Sequence, residues 1–248
     1  MRGWRIAVLL AVLASVAGMT VWERLWVRSW RRPLEVAIYP IAMDARSAQF
    51  AASLTDKDFA DISAYIAAEG TRWRKQPTPA PRITLQPAIA RMPPLPAGRG
   101  GLDAVKYSLA LRWYAFRETP FWQNLGTIRL FVLYHDVKYD EALPHSLGLQ
   151  KGLLGVVHVF ASAEQRAQNN VVIAHELLHT LGATDKYDTN GQPIHPEGFA
   201  DYIARQRYPQ DKAEIMAGRI PVSENESRIP KDLGETVIGY KTVSEIGW

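Results

Sequence analysis

The stretch His175-Glu176-Leu177-Leu178-His179-Thr180-Leu181-Gly182-Ala183-Thr184-Asp185 decides how this chain is read. Four residues apart on a helix, two histidines project from one face, one turn apart. Both imidazoles then reach a single metal ion, with the intervening glutamate beside them. Residues 171–181 carry few polar groups other than His175, Glu176 and His179. A helix apolar on nearly every face is buried, and its polar groups need interior partners. A metal satisfies both histidines at once. Asn169 or Asn170 is the expected N-cap. Gly182 is placed to end the helix in a left-handed turn. That turn returns the Asp185 carboxylate toward the metal as a third ligand and keeps a fourth position for water, the open arrangement of a catalytic zinc. Asp188, His195, Glu197 and Asp201 are the alternative third ligands, and Asp188 is equally placed to support the loop.

Composition narrows the chemistry. The chain has 248 residues, enough for one ordinary domain with a substantial core, and no cysteine. Disulfides, thiolate ligands and a catalytic thiol are excluded, so a metal here is held by histidine and carboxylate. Residues 1–32 contain six Arg and one Glu, more than the whole formal charge of +4, which leaves the body at −1. By charge, therefore, the body is not a nucleic-acid binder.

Residues 6–22 form an uncharged, mostly apolar run, flanked by Arg2 and Arg5 on one side and by Arg24, Arg28, Arg31 and Arg32 on the other. As a helix the run spans about 25 Å, which tilt and flanking Trp and Arg adapt to a bilayer. Trp4, Trp22, Trp26 and Trp30 fit an interfacial belt. The expectation is a membrane anchor over residues 1–32 followed by one domain over 33–248. A signal peptide cleaved after Ser15-Val16-Ala17 is the competing reading. Arginines on both sides leave the orientation open, with a periplasmic or extracellular body as the expectation.

Outward from the motif, residues 34–41 read as a strand. Thr55-Asp56-Lys57-Asp58 caps a helix carrying Phe59, Ile62, Tyr65 and Ile66. A short strand is expected over 82–86 and an amphipathic helix over 102–116, with Val105, Leu109, Trp113 and Phe116 on one stripe. Residues 127–134 and 153–161 read as strands, the second just ahead of the motif helix. Leu233, Val237, Ile238, Tyr240 and Val243 support a C-terminal helix. His135, His145, His158 and His195 read singly as packing or surface residues. The fold class is α/β (α+β), a mixed sheet with the motif helix buried beneath it.

The run from His175 to Asp188 resembles the metzincin metallopeptidases, whose pattern is His-Glu-x-x-His-x-x-Gly-x-x-His or Asp. The final aspartate is similar to snapalysin-like members, and His179-Thr180-Leu181-Gly182-Ala183-Thr184-Asp185-Lys186-Tyr187-Asp188 is similar to the immune inhibitor A peptidases. The resemblance implies a zincin fold with a twisted mixed sheet, Zn2+ on His175, His179 and Asp185, and Glu176 as general base in peptide hydrolysis. It also implies a methionine turn beneath the metal, for which Glu214-Ile215-Met216-Ala217-Gly218 is placed, and makes strand 153–161 the antiparallel edge that pairs with substrate. Tyr187 and Tyr202 are candidate donors to the oxyanion. The rival expectation is a zinc-stabilised but catalytically silent binding or scaffold module of the cell envelope.

Overall fold

The computed structural model describes Trp4, Gly18 and residues 25–74, 76–96, 98, 100–124, 126–136, 146–149 and 153–248. Its centre is a five-stranded sheet in the order β2-β1-β3-β5-β4, built from β1 (Glu35–Ala42), β2 (Arg82–Leu85), β3 (Thr127–His135), β4 (Leu147–Leu149) and β5 (Leu154–Phe160). β2, β1, β3 and β5 run parallel, whereas β4 pairs antiparallel with β5, Gly148 opposite Gly155. The near-continuous apolar runs of β1, β3 and β5 are buried on both faces, as crossover-connected parallel strands require.

Four helices and one helix cover the two faces. Val36, Ile38, Ile128, Leu130, Val132, Val157 and Val159 point into a core shared with α1 (Ala45–Ser53), α2 (Ala60–Trp73), α4 (Arg166–Leu181) and α5 (Tyr240–Ile246). Ala37, Tyr39, Ile41, Phe131, Leu133, Leu154 and Val156 point the other way, onto α3 (Gly101–Glu118). α1, which the sequence reading did not anticipate, is opened by a reciprocal cap. Asp44 accepts from the Ser47 amide at 2.8 Å while the Ser47 hydroxyl accepts from the Asp44 amide at 2.9 Å. Ahead of α2, Asp58 accepts from the amide and hydroxyl of Thr55 at 2.7 and 3.0 Å.

Several expectations are corrected. The strand that precedes the motif helix is not the antiparallel edge: the antiparallel edge is β4, for which the sequence reading gave no strand, and β5 is an inner parallel strand. Its apolar run already fitted burial on two faces. Asn169 and Asn170 do not cap α4, which starts at Arg166. Both are buried inside it. The Asn169 amide bonds the Phe160 carbonyl at 2.8 Å and the Asn170 amide bonds the Asp58 carbonyl at 2.8 Å, tying the helix to β5 and to the entry of α2. On α3 the predicted stripe is turned outward. Val105, Leu109, Trp113 and Phe116 are exposed, and Tyr107, Leu111, Tyr114 and Ala115 face the sheet.

Trp30 does not join an interfacial belt either. It is buried at 2% exposure, its ring 5.0 Å from Trp248 and its indole N–H donating to the Ile246 carbonyl at 3.0 Å. Among the described residues no helix is long and apolar enough to cross a membrane. The anchor expected over residues 6–22 lies outside the described residues apart from Gly18, as does His145. Because Trp30 packs under α5, Trp30→Ala should cost about 3–5 kcal/mol, read as a lower urea midpoint. A chain begun at residue 33 should show a similar loss against one begun at residue 25.

Candidate metal centre

His175 and His179 face the same way from α4, ring centroids 4.7 Å apart. Each ring is fixed by its Nδ1. That of His175 lies 2.9 Å from the Ile215 carbonyl and that of His179 lies 2.9 Å from the Ala183 carbonyl. A carbonyl only accepts, so Nδ1 carries the hydrogen in both rings and Nε2 is left to face the site. Both Nε2 atoms meet one oxygen: Asp185 Oδ1 lies 3.2 Å from His175 and 3.1 Å from His179.

The turn that delivers Asp185 is built locally. Gly182 sits at φ 116°, closing α4, and the Gly182 and Ala183 amides both donate to the Leu178 carbonyl at 3.1 Å. Beyond it Lys186, 2% exposed, spans Thr184 and Glu245. Its ammonium donates to both Glu245 oxygens at 3.0 and 2.8 Å, while Glu245 accepts from the Thr184 amide at 2.9 Å. The Asp185 loop is thus clamped from both sides to α5.

Segment 214–218 is a tight turn beneath this loop. Met216 is fully buried, its carbonyl accepts from the Lys186 amide at 3.0 Å, and Gly218 supplies the positive φ of 70°. Glu214, also fully buried, holds the turn: its carboxylate accepts from the Ala217 and Gly239 amides and from the Thr242 hydroxyl at 3.0, 3.1 and 2.7 Å. Burial pushes its pKa up against these bonds.

Three converging electron-pair donors repel unless positive charge lies among them. Without metal the charge is a proton. Burial depresses the His175 pKa, but the Asp185 bond and the Glu176 charge outweigh it and carry it up to about 9. Asp185 is held well below the usual carboxylate range: burial raises it, and both histidines override that. A tetrahedral zinc with ligand bonds of about 2.0–2.1 Å needs ligand atoms ~3.3 Å apart, close to the separations of 3.1 and 3.2 Å found here. The residues present therefore fit the ion.

Glu176 completes the set. One oxygen of its carboxylate lies with the two histidine nitrogens in a group no more than 4.8 Å across. The side chain is 4% exposed, and Oε2 has no hydrogen-bond partner among the described residues. Burial raises its pKa, opposed by His175 and His179. His175, Glu176, Tyr187, Ile215 and His158 line a cavity of about 290 Å³. Tyr187 bonds Asp185, and its pKa is pushed up to about 12 by burial and then by that carboxylate. Tyr202 instead packs on Tyr240 at 4.4 Å.

Of the other candidate ligands, the side chains of Asp188, His195 and Glu197 are engaged elsewhere. Asp188 accepts from the Asn190 and Gln192 amides at 2.8 and 2.9 Å, His195 packs on Phe199 at 5.1 Å, and Glu197 faces Lys241 at 4.0 Å. The Asp201 backbone is bonded to the Gln210 side chain. His158, read as a packing residue, borders the cavity with Nδ1 2.8 Å from His135 Nε2; burial and then His135 lower its pKa to about 4. Its signal in the sequence was a lone polar residue within an apolar strand. Glu245, Lys186 and Glu214 had no such signal, since their partners come from distant segments.

Glu245→Ala should cost about 3 kcal/mol, the low end for orphaning a buried charge, because Glu245 keeps 16% side-chain exposure. Burial raises the Glu245 pKa, but the bonds to Lys186 and Thr184 bring it below its usual value. Its contribution is therefore present above the ordinary carboxylate range and lost as pH falls through the lowered value. The urea midpoints of wild type and variant should differ at neutral pH and converge on acidification.

No protein-family model and no curated protein matches the chain. Among solved structures, metalloproteinase-II from Bacteroides fragilis is similar at a TM-score of 0.38 and 11% sequence identity, covering 87% of this chain and 52% of that one. The chain thus spans about half the length of that structure.

Proposed function

We propose that this chain is a zinc-dependent peptidase of metzincin type, tethered to a membrane through residues 1–32, of which Val27 and Trp30 already pack into the body, with residues 33–248 outside the cytoplasm. The observation that carries this reading is the approach of Asp185 to within 3.2 Å of both His175 and His179, beside the buried Glu176, whose Oε2 has no hydrogen-bond partner among the described residues. His175, His179 and Asp185 would hold Zn2+. When bound, the ion supplies Lewis-acid polarisation of the scissile carbonyl and acidifies the attacking water. Glu176 accepts a proton from that water and passes it to the leaving amine nitrogen, a task helped by a pKa raised through burial. The Tyr187 hydroxyl donates to Asp185 at the cavity wall and would turn from that carboxylate to donate to the developing oxyanion. His158 and the apolar residues Val171, Val172 and Ile229 bound the space beside it for a peptide side chain. The partners are peptide or protein substrates and the bilayer.

Glu176→Gln should bind one zinc per chain and lose about 10²–10⁴ in kcat against a peptide library. Zinc bound stoichiometrically to both forms, with no cleavage by wild type above that of Glu176→Gln and none by either, would sink the enzyme and leave a scaffold module. Asp185→Ala should lose stoichiometric zinc in metal analysis after dialysis, whereas Asp188→Ala should keep it. Tyr187→Phe should lower kcat by about 10² with little change in KM.

A further inference from the structure

The outward face of α3 carries an apolar stripe, Leu102, Val105, Leu109, Trp113 and Phe116, flanked by the exposed Lys106 and Arg117, and it ends in an aromatic cluster. Leu109, Trp113, Phe116 and Trp122 are 62%, 61%, 50% and 77% exposed. Trp113 stacks on Phe116 at 5.9 Å, and Phe116 meets the edge of Phe121 at 6.4 Å. Isolated exposed apolar residues are ordinary, but a contiguous aromatic surface marks a binding face.

Its position in the fold says what covers it. Phe121 and Trp122 lie in a short helical turn, Phe121–Asn124, just before β3 begins at Thr127, so they sit at the N-terminal end of the parallel strands. The chain enters the body at that same end: Leu25, Trp26, Arg31 and Arg32 border one cleft with Gly126 and Thr127. Trp122 is four residues from Gly126, at most ~14 Å of chain. The apolar run ends at Trp22, three residues before Leu25, which allows at most ~11 Å. If that run enters a bilayer, this end of the body lies at the headgroups. Arg32 stands 5.3 Å over the Trp26 ring, and Arg117 is exposed beside Phe116, so cations flank the aromatics as at a lipid–water interface.

We infer that Trp113, Phe116 and Trp122 form a docking surface that inserts into the interface of a phospholipid bilayer, the one entered by residues 6–22. The body is then held at a fixed attitude on the lipid rather than swinging on a leash. Indole and phenyl rings bury their faces at headgroup depth, while Arg31, Arg32 and Arg117 meet phosphate. The metal cavity borders His158, near the other end of β5, and stays in water. This inference rests on the tether reading and is independent of the zinc chemistry.

The absence of cysteine makes the test clean. Full-length chains carrying Phe116→Cys, Trp122→Cys or, as the control on the exposed loop that follows the cavity residue Tyr187, Asn190→Cys are labelled with an NBD dye. They are then reconstituted in phosphatidylcholine vesicles containing one-third phosphatidylglycerol. Vesicle flotation reads the tether. Dye emission and quenching by doxyl-labelled lipid read the docking. Blue-shifted, lipid-quenched dye at 116 and 122, with water-exposed dye at 190, is the expected result. Floating protein with water-exposed dye at 116 and 122 overturns docking and keeps the tether, and protein that fails to float overturns both. Blue-shifted dye that lipid does not quench, with copies cross-linking through position 122, assigns the face to a second copy and overturns the inference.

Discussion

Two imidazoles and two carboxylates meet at the border of the apolar core, Glu176 buried, the rings half-buried and the Asp185 side chain 40% exposed, and the electrostatics of that group shape everything around it. His175 and His179 are committed through Nδ1 to the Ile215 and Ala183 carbonyls, so their remaining lone pairs face the Asp185 oxygen. Such a set is stable only with positive charge inside it, from a proton or a metal ion. The same burial that makes the set costly raises the Glu176 pKa and leaves one of its oxygens without a partner among the described residues. Cost of burial and suitability for proton transfer have one physical origin.

The surroundings are arranged to hold this group still. Asp185 reaches the histidines because Gly182 turns the chain and because Lys186, Thr184 and Glu245 lock the following residues to α5. The Met216 turn lies below, its backbone bonded to His175 and Lys186 and its corner fixed by the three bonds of Glu214. From above, Asn169 and Asn170 fasten α4 to β5 and to the entry of α2. Buried charge is used here for positioning. The Lys186–Glu245 pair adds little net stability over an apolar pair of equal shape, yet losing one partner is expensive.

The two faces of the sheet differ in how completely they are covered. α1, α2, α4 and α5 share one core, whereas α3 covers the other face and leaves its own outer stripe exposed. That asymmetry explains why periodicity misled over residues 101–118. α3 has two apolar stripes: Tyr107, Leu111, Tyr114 and Ala115 form one, Val105, Leu109, Trp113 and Phe116 the other. Periodicity finds stripes but not which one meets the sheet. The stripe without tyrosine hydroxyls is the more apolar of the two and invited the wrong choice.

Legible in the sequence were the elements whose physics is local. The parallel strands announced themselves as apolar runs, the motif helix by its paired histidines, and the left-handed stop at Gly182 by the need for a residue without Cβ at positive φ. Long-range pairing was not legible. Which strand forms the edge depends on backbone partners far apart in sequence, so β5 was taken for the antiparallel edge that is β4. Trp30, read with the basic N-terminal flank, belongs to the core because Trp248 and Ile246 return to it from the other end of the chain. The sequence by itself determined that His175 and His179 share a helix face with Glu176 beside them, because helical geometry fixes four-residue spacing. Only the tertiary structure decided that Asp185, and neither Asp188 nor Glu197, meets them, because loop direction is set by distant partners such as Glu245.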